Sequence, residues 1–322
     1  MTHASIPVAG AFRLTSTQRG MLAESLLHPG VYLEQVVAEF AEPLDVGHLR
    51  GAWQHALSAF DALRLHLDWS PGADAKQRIE TSTELPFRVV DLSDRSGSDR
   101  ARLDDFLRRD RREGLNLQTV PLMRITVLIF DEKHWAFVWT IHHTIIDGAS
   151  YVVVLKHVFD TYDRLLAGQQ PVRPISRSFE TFLAWLEQQD FTLGHRHIDR
   201  LLEGFSSATP LPLCYGQNGV YSGRSQEVHA RLTVDESRAV TAAARATATS
   251  VNALVQFAWA LLLSRYGDSD DVVFGATWSG RINTLEGAEL VVGPCLNTLP
   301  VRVNVTESST VRDALRRLRE QH

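Results

Sequence analysis

The sequence contains little cysteine, because Cys214 and Cys295 are its only thiols in 322 residues. Two cysteines without CxxC spacing cannot build a disulfide framework, a structural zinc site or a thioredoxin-like redox pair. A chain of this length buries enough apolar surface to fold without such cross-links. We therefore predict two buried free thiols in a reducing compartment.

Long apolar runs are also missing, and no stretch approaches the ~20 residues that a membrane-spanning helix requires. The longest run, around residues 255–263, is interrupted by Gln256 and is typical of a core helix. The amino-terminal segment lacks a charged stretch followed by an apolar one, so no secretory signal is predicted. These absences predict a cytoplasmic protein without a membrane partner.

Positive charge is not in excess, since 33 basic residues face 38 acidic ones and the net charge is −5. Sequence-independent binding to nucleic acid needs a basic surface, so no nucleic-acid partner is predicted. The composition, 44% hydrophobic and 22% charged, excludes a disordered or fibrous chain. The length predicts two compact domains or one large α/β unit.

Several common enzyme motifs are absent from the chain, namely GxSxG, GxGxxG, GxxxxGK[ST] and HExxH. His195 and His197 flank Arg196, but no third ligand accompanies them in the sequence, so no metal site is predicted.

Apolar periodicity predicts helices and strands that mix along the whole chain. The predicted helices fall at residues 13–29, 46–60, 102–113, 150–166, 179–189, 251–266 and 310–322. The predicted strands fall at residues 31–40, 63–69, 122–130, 134–141, 226–232, 271–277 and 298–305. This mixture predicts an α/β or α+β fold with two lobes. Glycine and two prolines after Ala167 favour a linker at 169–177, between lobes at 1–168 and 178–322.

A candidate catalytic segment follows the strand predicted at 134–141. It contains His142, His143, Asp147 and Gly148. Neighbouring strand side chains point to opposite faces, so one histidine faces a cleft and the other is held in the structure. Asp147-Gly148 fits the next turn, and Ser150 is predicted to cap the following helix. An imidazole titrates near pH ~6.5 and can accept a proton, and peptide N–H groups at the helix start can stabilise an oxyanion.

Segment 142–148, HHTIIDG, resembles the HHxxxDG signature of condensation domains of nonribosomal peptide synthetases, within the chloramphenicol acetyltransferase-like superfamily. Other segments resemble further motifs of this family in the same order: 14–21, 62–64, 179–185, 275–281 and 292–302. Two pairs depart from the family pattern. Phe60-Asp61 keeps the acid of the second motif without its histidine, and Pro294-Cys295 follows Gly293 where an aromatic or aliphatic residue is usual.

The resemblance implies two chloramphenicol acetyltransferase-like lobes in a V-shaped arrangement. The chain ends inside a helix before further family motifs, so the second lobe, 178–322, is expected to be incomplete. No bound cofactor is expected, because both substrates arrive on the 4′-phosphopantetheine arms of donor and acceptor carrier proteins. The acceptor amine attacks the acyl or peptidyl thioester and an amide forms.

The same resemblance implies roles for individual residues. His143 and Gly148 are the expected catalytic residues, with His143 acting either as general base or by positioning the amine. His142 is expected to be structural, and Asp147 is the structural acid that pairs with Arg281.

Three alternatives share the motif. The chain could transfer an acyl group to a free amine or alcohol, act as an epimerisation domain, or serve as a docking or scaffold module without activity. Segments 14–21 and 292–302 resemble the condensing branch and favour it over epimerisation.

Overall fold

The structure is a computed structural model that describes residues 10–70, 74–94, 96–209, 228–281, 285–305 and 310–321. The helices are α1 (Ser16–Leu27), α2 (Val46–Ala59), α3 (Asp99–Glu113), α4 (Gly148–Leu166), α5 (Phe179–Glu187), α6 (Thr192–Leu201), α7 (Val234–Ala246), α8 (Val251–Gly267) and α9 (Val311–Glu320). The strands are β1 (Phe12–Arg13), β2 (Leu33–Ala41), β3 (Leu65–Asp68), β4 (Lys76–Ile79), β5 (Phe87–Asp91), β6 (Met123–Ile129), β7 (His134–His142), β8 (Asp271–Ser279) and β9 (Leu296–Asn304). Short 3-10 turns span Asp61–Arg64, His143–Ile145 and Ala288–Leu290.

The mixed α/β class and most predicted elements are confirmed, and the differences have local causes. Strands β4 (KQRI) and β5 (FRVVD) do not alternate between apolar and polar residues, so neither gives a periodic signal. The sequence pattern predicts no helix with defined bounds at the positions of α6 and α7. The strand predicted at 226–232 is wrong for residues 228–232, which have no sheet partner and expose Val228 and Leu232 to solvent. Residues 226–227 lie outside the described part.

Strand β7 is central to a four-stranded sheet of order β2-β7-β6-β5. It runs antiparallel to β2 and β6, while β5 is parallel to β6. One face of β7 packs on α2, where the Trp139 and Trp53 ring centroids are 5.0 Å apart. Ala136 and Val138 on the other face join a second core with Leu103 of α3. Because both faces are covered, β7 is apolar almost throughout.

Helix α1 begins with a capping box, as its sequence predicts. The Thr15 hydroxyl accepts a hydrogen bond from Gln18 N at 3.1 Å, and Gln18 Oε1 accepts one from Thr15 N at 3.0 Å. The helix lies against the 3-10 turn that follows β7. Strands β1, β4 and β3 form a separate three-stranded antiparallel sheet.

The contacts divide the chain into two compact units. Unit 1 comprises residues 1–189 with 279–297, and unit 2 comprises 190–278 with 298–322. This partition differs from the predicted lobes, since α5 and segment 279–297 pack into the core of unit 1. Phe179, Val292 and Cys295 are among the residues that bury there. The assignment of two lobes at 1–168 and 178–322, with a linker at 169–177, stays a prediction.

Unit 2 has its own hydrophobic core, in which α8 and α9 pack on strands β8 and β9. Its fully buried members include Ala260, Val272, Val301 and Leu315. Within the described ranges no single helix has the length and hydropathy to cross a membrane, and α7 with α8, bent by 97°, meets those criteria only as a pair.

Candidate active site

The two histidines of the motif lie at the junction of strand, turn and helix that the sequence predicts. His142 is the last residue of β7, His143 opens the 3-10 turn, and Gly148 is the first residue of α4. Gly148 is exposed, and no described atom lies within 4 Å of the place where a Cβ would stand. The start of α4 is therefore open on this side.

His142 is enclosed and fully hydrogen-bonded. Its Nδ1 accepts from the Thr144 hydroxyl at 2.8 Å and from Thr144 N at 3.3 Å, so the proton of the neutral ring is on Nε2. Nε2 lies 3.1 Å from the Ser25 hydroxyl, which itself donates to the Met21 carbonyl at 2.6 Å. Nδ1 thus acts as an acceptor and Nε2 as a donor. The bond to Ser25 of α1 fixes the orientation of the ring.

His143 is only half-buried, in contrast to its neighbour. Its backbone N–H donates to the Tyr32 carbonyl at 2.9 Å. Its Nδ1 is shielded from solvent, and no described residue forms a hydrogen bond with it. Tyr32 has a φ of 62°, a left-handed conformation that is costly for an aromatic residue. The residue that accepts the hydrogen bond from the His143 backbone therefore has a strained conformation.

The Asp147 carboxylate lies behind the turn and accepts hydrogen bonds from three residues. Arg281 donates to it in bidentate fashion, with Nη1–Oδ2 2.6 Å and Nη2–Oδ1 3.0 Å. Ser150 donates through its backbone N at 3.1 Å and its hydroxyl at 2.8 Å, and Cys295 N donates at 3.0 Å. The Asp147 and Arg281 side chains are only 3% and 8% exposed. In this bidentate geometry each buried charge compensates the other.

Asp147, rather than the predicted Ser150, is the N-cap of α4. The Ser150 hydroxyl accepts instead from Arg281 Nη2 at 2.9 Å and from Gly293 N at 3.0 Å. Arg281 also donates to the carbonyls of Val291 and Gly293. The helix start and segment 291–295 are therefore joined through one set of residues, which we call the Asp147 cluster (Asp147, Ser150, Arg281, Gly293 and Cys295).

Glycine permits two close approaches of segment 279–297 beside the Asp147 cluster. A Cβ on Gly280 would stand 2.0 Å from the Cys295 carbonyl oxygen. Gly293 has a φ of +153°, and a Cβ there would stand 2.4 Å from the Phe179 ring. These close approaches bring Arg281 and Cys295 to Asp147.

The two departures from the family pattern lie close to this cluster. Cys295 is a buried free thiol as predicted, and burial raises its pKa to about 12, so the thiol is unreactive. Cys214 lies outside the described residues. Asp61 accepts from the Ser178 hydroxyl at 2.5 Å and from Phe179 N at 3.0 Å, so it caps α5 from another part of the chain.

The sequence did not point to Ser25, Thr144 or Cys295 N as members of this region. Ser25 and His142 are 117 residues apart, so their contact depends on the tertiary fold rather than on any local pattern. His195 and His197 are exposed on α6, and the described residues hold no group of three His, Cys, Asp or Glu that could bind a metal.

Comparison with known families decides the identity. The family model for the condensation domain matches residues 8–322. The chain belongs to the condensation-domain family.

Two curated relatives of this condensation domain are synthases of much greater length. A linear gramicidin synthase of Brevibacillus parabrevis is 34% identical over 315 residues, which is 96% of this chain and 6% of that protein. Chondramide synthase cmdD of Chondromyces crocatus is 34% identical over 87% of this chain and 7% of its own length. The chain thus spans a small part of the relatives that it matches.

Solved structures share the fold of this condensation domain. The first condensation domain of the calcium-dependent antibiotic synthetase gives a TM-score of 0.73 at 20% identity, covering 97% of this chain and 74% of that one. The epimerization domain from the third module of tyrocidine synthetase B gives 0.80 at 21% identity, covering 98% and 71%. The predicted chloramphenicol acetyltransferase-like fold is confirmed.

The buried His142 predicts an acid-sensitive stability. Burial, and next the charge of His143, lowers the pKa of His142 from 6.5 to about 4. Between these values the unfolded chain binds a proton at His142 and the folded chain does not, so stability falls as pH falls across this window. Across the whole window the free energy of unfolding is expected to fall by about 3 kcal/mol. In urea titrations from pH 7 to pH 4, His142→Gln is expected to flatten this dependence.

The control for this prediction is His197→Ala, which removes a histidine from an exposed position on α6. It is expected to leave the pH dependence as in the wild type. Equal slopes for the wild type and His142→Gln would show that His142 titrates normally in the folded protein.

Proposed function

We propose that this chain catalyses amide-bond formation between two carrier-bound substrates, as a condensation domain in nonribosomal peptide synthesis. The observation that carries the proposal is the family match over residues 8–322, which includes the complete HHTIIDG motif. The acceptor is an aminoacyl thioester and the donor is an acyl or peptidyl thioester. Each is held on the 4′-phosphopantetheine arm of its carrier protein, and the chain itself supplies no cofactor.

In the proposed reaction the acceptor nitrogen attacks the donor thioester carbonyl, a C–N bond forms and the C–S bond breaks. The amine proton leaves nitrogen, and the departing sulfur of the donor arm ends as a thiol. His143 either takes the proton as general base or orients the amine. The enclosed position of Nδ1 supports Nε2 as the acting nitrogen. Peptide N–H groups at the open start of α4, at Gly148, are suited to donate hydrogen bonds to the carbonyl oxygen as it gains negative charge.

His142 and the Asp147 cluster have supporting roles in this proposal. His142 holds the end of β7 through Ser25 and Thr144. Asp147, paired with Arg281, holds the start of α4. Neither carboxylate oxygen of Asp147 is free for proton transfer, because both accept from Arg281 and from backbone N–H groups.

The proposal is tested with the purified chain and two carrier proteins, one loaded with an acyl donor and one with an aminoacyl acceptor. Intact-protein mass spectrometry is expected to show the acceptor gaining the mass of the donor acyl group while the donor carrier loses it. Starting masses that persist at every protein concentration refute condensation. Inversion at the α-carbon without a mass change would indicate epimerisation, and transfer to a free amine or alcohol alone would indicate a stand-alone acyltransferase.

A further inference from the structure

Two buried glutamines form a reciprocal amide pair beneath the histidine turn. Gln18 of α1 and Gln77 of β4 are both fully buried. Gln18 Nε2 donates to Gln77 Oε1 at 2.8 Å, and Gln77 Nε2 donates to Gln18 Oε1 at 2.9 Å. Two amides enclosed in this way cannot exchange partners with water, so their outward bonds have a fixed direction.

The backbone determines which way each amide faces. Thr15 N–H can only donate, and it contacts Gln18 Oε1 at 3.0 Å. The Arg13 carbonyl can only accept, and it contacts Gln77 Nε2 at 2.9 Å. One N–H of Gln18 is therefore left to point away from the pair, and it donates to the Thr144 carbonyl at 3.0 Å. Every hydrogen of both amides is used.

The Thr144 carbonyl belongs to the turn that carries His143, and several hydrogen bonds hold this turn. His143 N donates to the Tyr32 carbonyl at 2.9 Å, and Thr144 N donates to His142 Nδ1 at 3.3 Å. Gln18 supplies a further bond, at the carbonyl that directly follows the His143–Thr144 peptide unit. The first two bonds fix the peptide groups on either side of His143, and the bond from Gln18 fixes the peptide group that follows Thr144.

We infer that Gln18 is a positioning residue for His143, which acts through its hydrogen bond to the Thr144 carbonyl. Gln18 is fully buried and acts through the backbone rather than on a substrate. The inference depends on the proposed function in one respect only, namely that the position of His143 serves catalysis. A small displacement of a reacting group is enough to lower a rate strongly.

The test compares two variants that both break the amide pair. Gln18→Met removes the bond to Thr144, whereas Gln77→Met leaves Gln18 Nε2 able to donate to it. Thr15→Ala is a further control, since it weakens the cap of α1 and keeps the bond to Thr144. For Gln18→Met we expect kcat of condensation to fall about 10- to 100-fold with the KM values of both carriers unchanged. For the two controls we expect kcat close to that of the wild type, whatever their melting temperatures.

A readout that needs no activity separates this inference from the proposed function. In ¹⁵N-histidine NMR spectra, with His143 assigned from His143→Ala, the ring signals of His143 are expected to shift or broaden in Gln18→Met and to coincide with wild type in both controls. Unchanged His143 signals in Gln18→Met overturn the inference even if the rate falls. Rate losses that follow melting temperature equally in all three variants also overturn it, because they indicate a purely structural role.

Discussion

Replacing His143 by alanine is expected to lower the rate of acyl transfer between the two carriers by about 10²- to 10⁴-fold. This is the usual contribution of a positioned acid–base group. The cause is the loss of the partly exposed imidazole at the start of the turn, since its neighbour His142 is enclosed by Ser25 and Thr144. Single-turnover mass spectrometry of the acceptor carrier measures the effect.

His143→Gln distinguishes the two proposed roles, because glutamine keeps a hydrogen-bonding group but cannot serve as a base at neutral pH. A positioning role predicts a rate well above that of His143→Ala, and a base role predicts two equally slow variants. His197→Ala, exposed on α6, is the matched control and is expected to retain the wild-type rate. Unchanged turnover of His143→Ala would remove both roles.

Breaking the Asp147–Arg281 pair is expected to destabilise the protein by about 3–5 kcal/mol, since each single change leaves an uncompensated buried charge. Asp147→Asn removes the negative charge at nearly constant shape, and Arg281→Met removes the positive one. The double variant is expected to be less destabilised than the sum of the two, with a coupling energy of about 1–3 kcal/mol. Urea unfolding at neutral pH, followed by tryptophan fluorescence, gives the three differences.

The Lys156–Asp160 pair on the same helix, α4, serves as the control for this cycle. Its side chains are 72% and 59% exposed, so Lys156→Met and Asp160→Asn are expected to couple by less than about 1 kcal/mol. Additive effects of Asp147→Asn and Arg281→Met would mean that the two charges do not depend on each other. That result would contradict a mutually compensated pair at the centre of the Asp147 cluster.

The fold class and the strand–turn–helix at the histidines could be predicted from the sequence because both depend on local order. A long apolar strand, a motif with fixed spacing and a capping signal each lie within a few neighbouring residues. Arg281 was different. From the residues alone it was an arginine in a glycine-containing turn, and only the resemblance to a family implied that it pairs with Asp147, 134 residues away.

The remaining parts of the site could not be predicted, because they arise where distant segments meet. Gln18 and Thr144 are 126 residues apart, and the Gly293 backbone meets Ser150 across 143 residues. The packing of segment 279–297 into the core of unit 1 could not be predicted for the same reason, since no local pattern in this segment indicates it. The capping role predicted for Ser150 was wrong because Asp147, also a good cap, lies closer to the helix start.

The discontinuity of unit 1 has a consequence for recombination between relatives of this domain. Residues 190–278 interrupt unit 1, so a single crossover within them joins Asp147 and Ser150 of one parent to Arg281, Gly293 and Cys295 of the other. In such a chimera the residues of the Asp147 cluster come from two different parents and have to fit together. Paired crossovers near residues 189 and 279 exchange the interrupting segment alone and leave every member of the cluster with one parent.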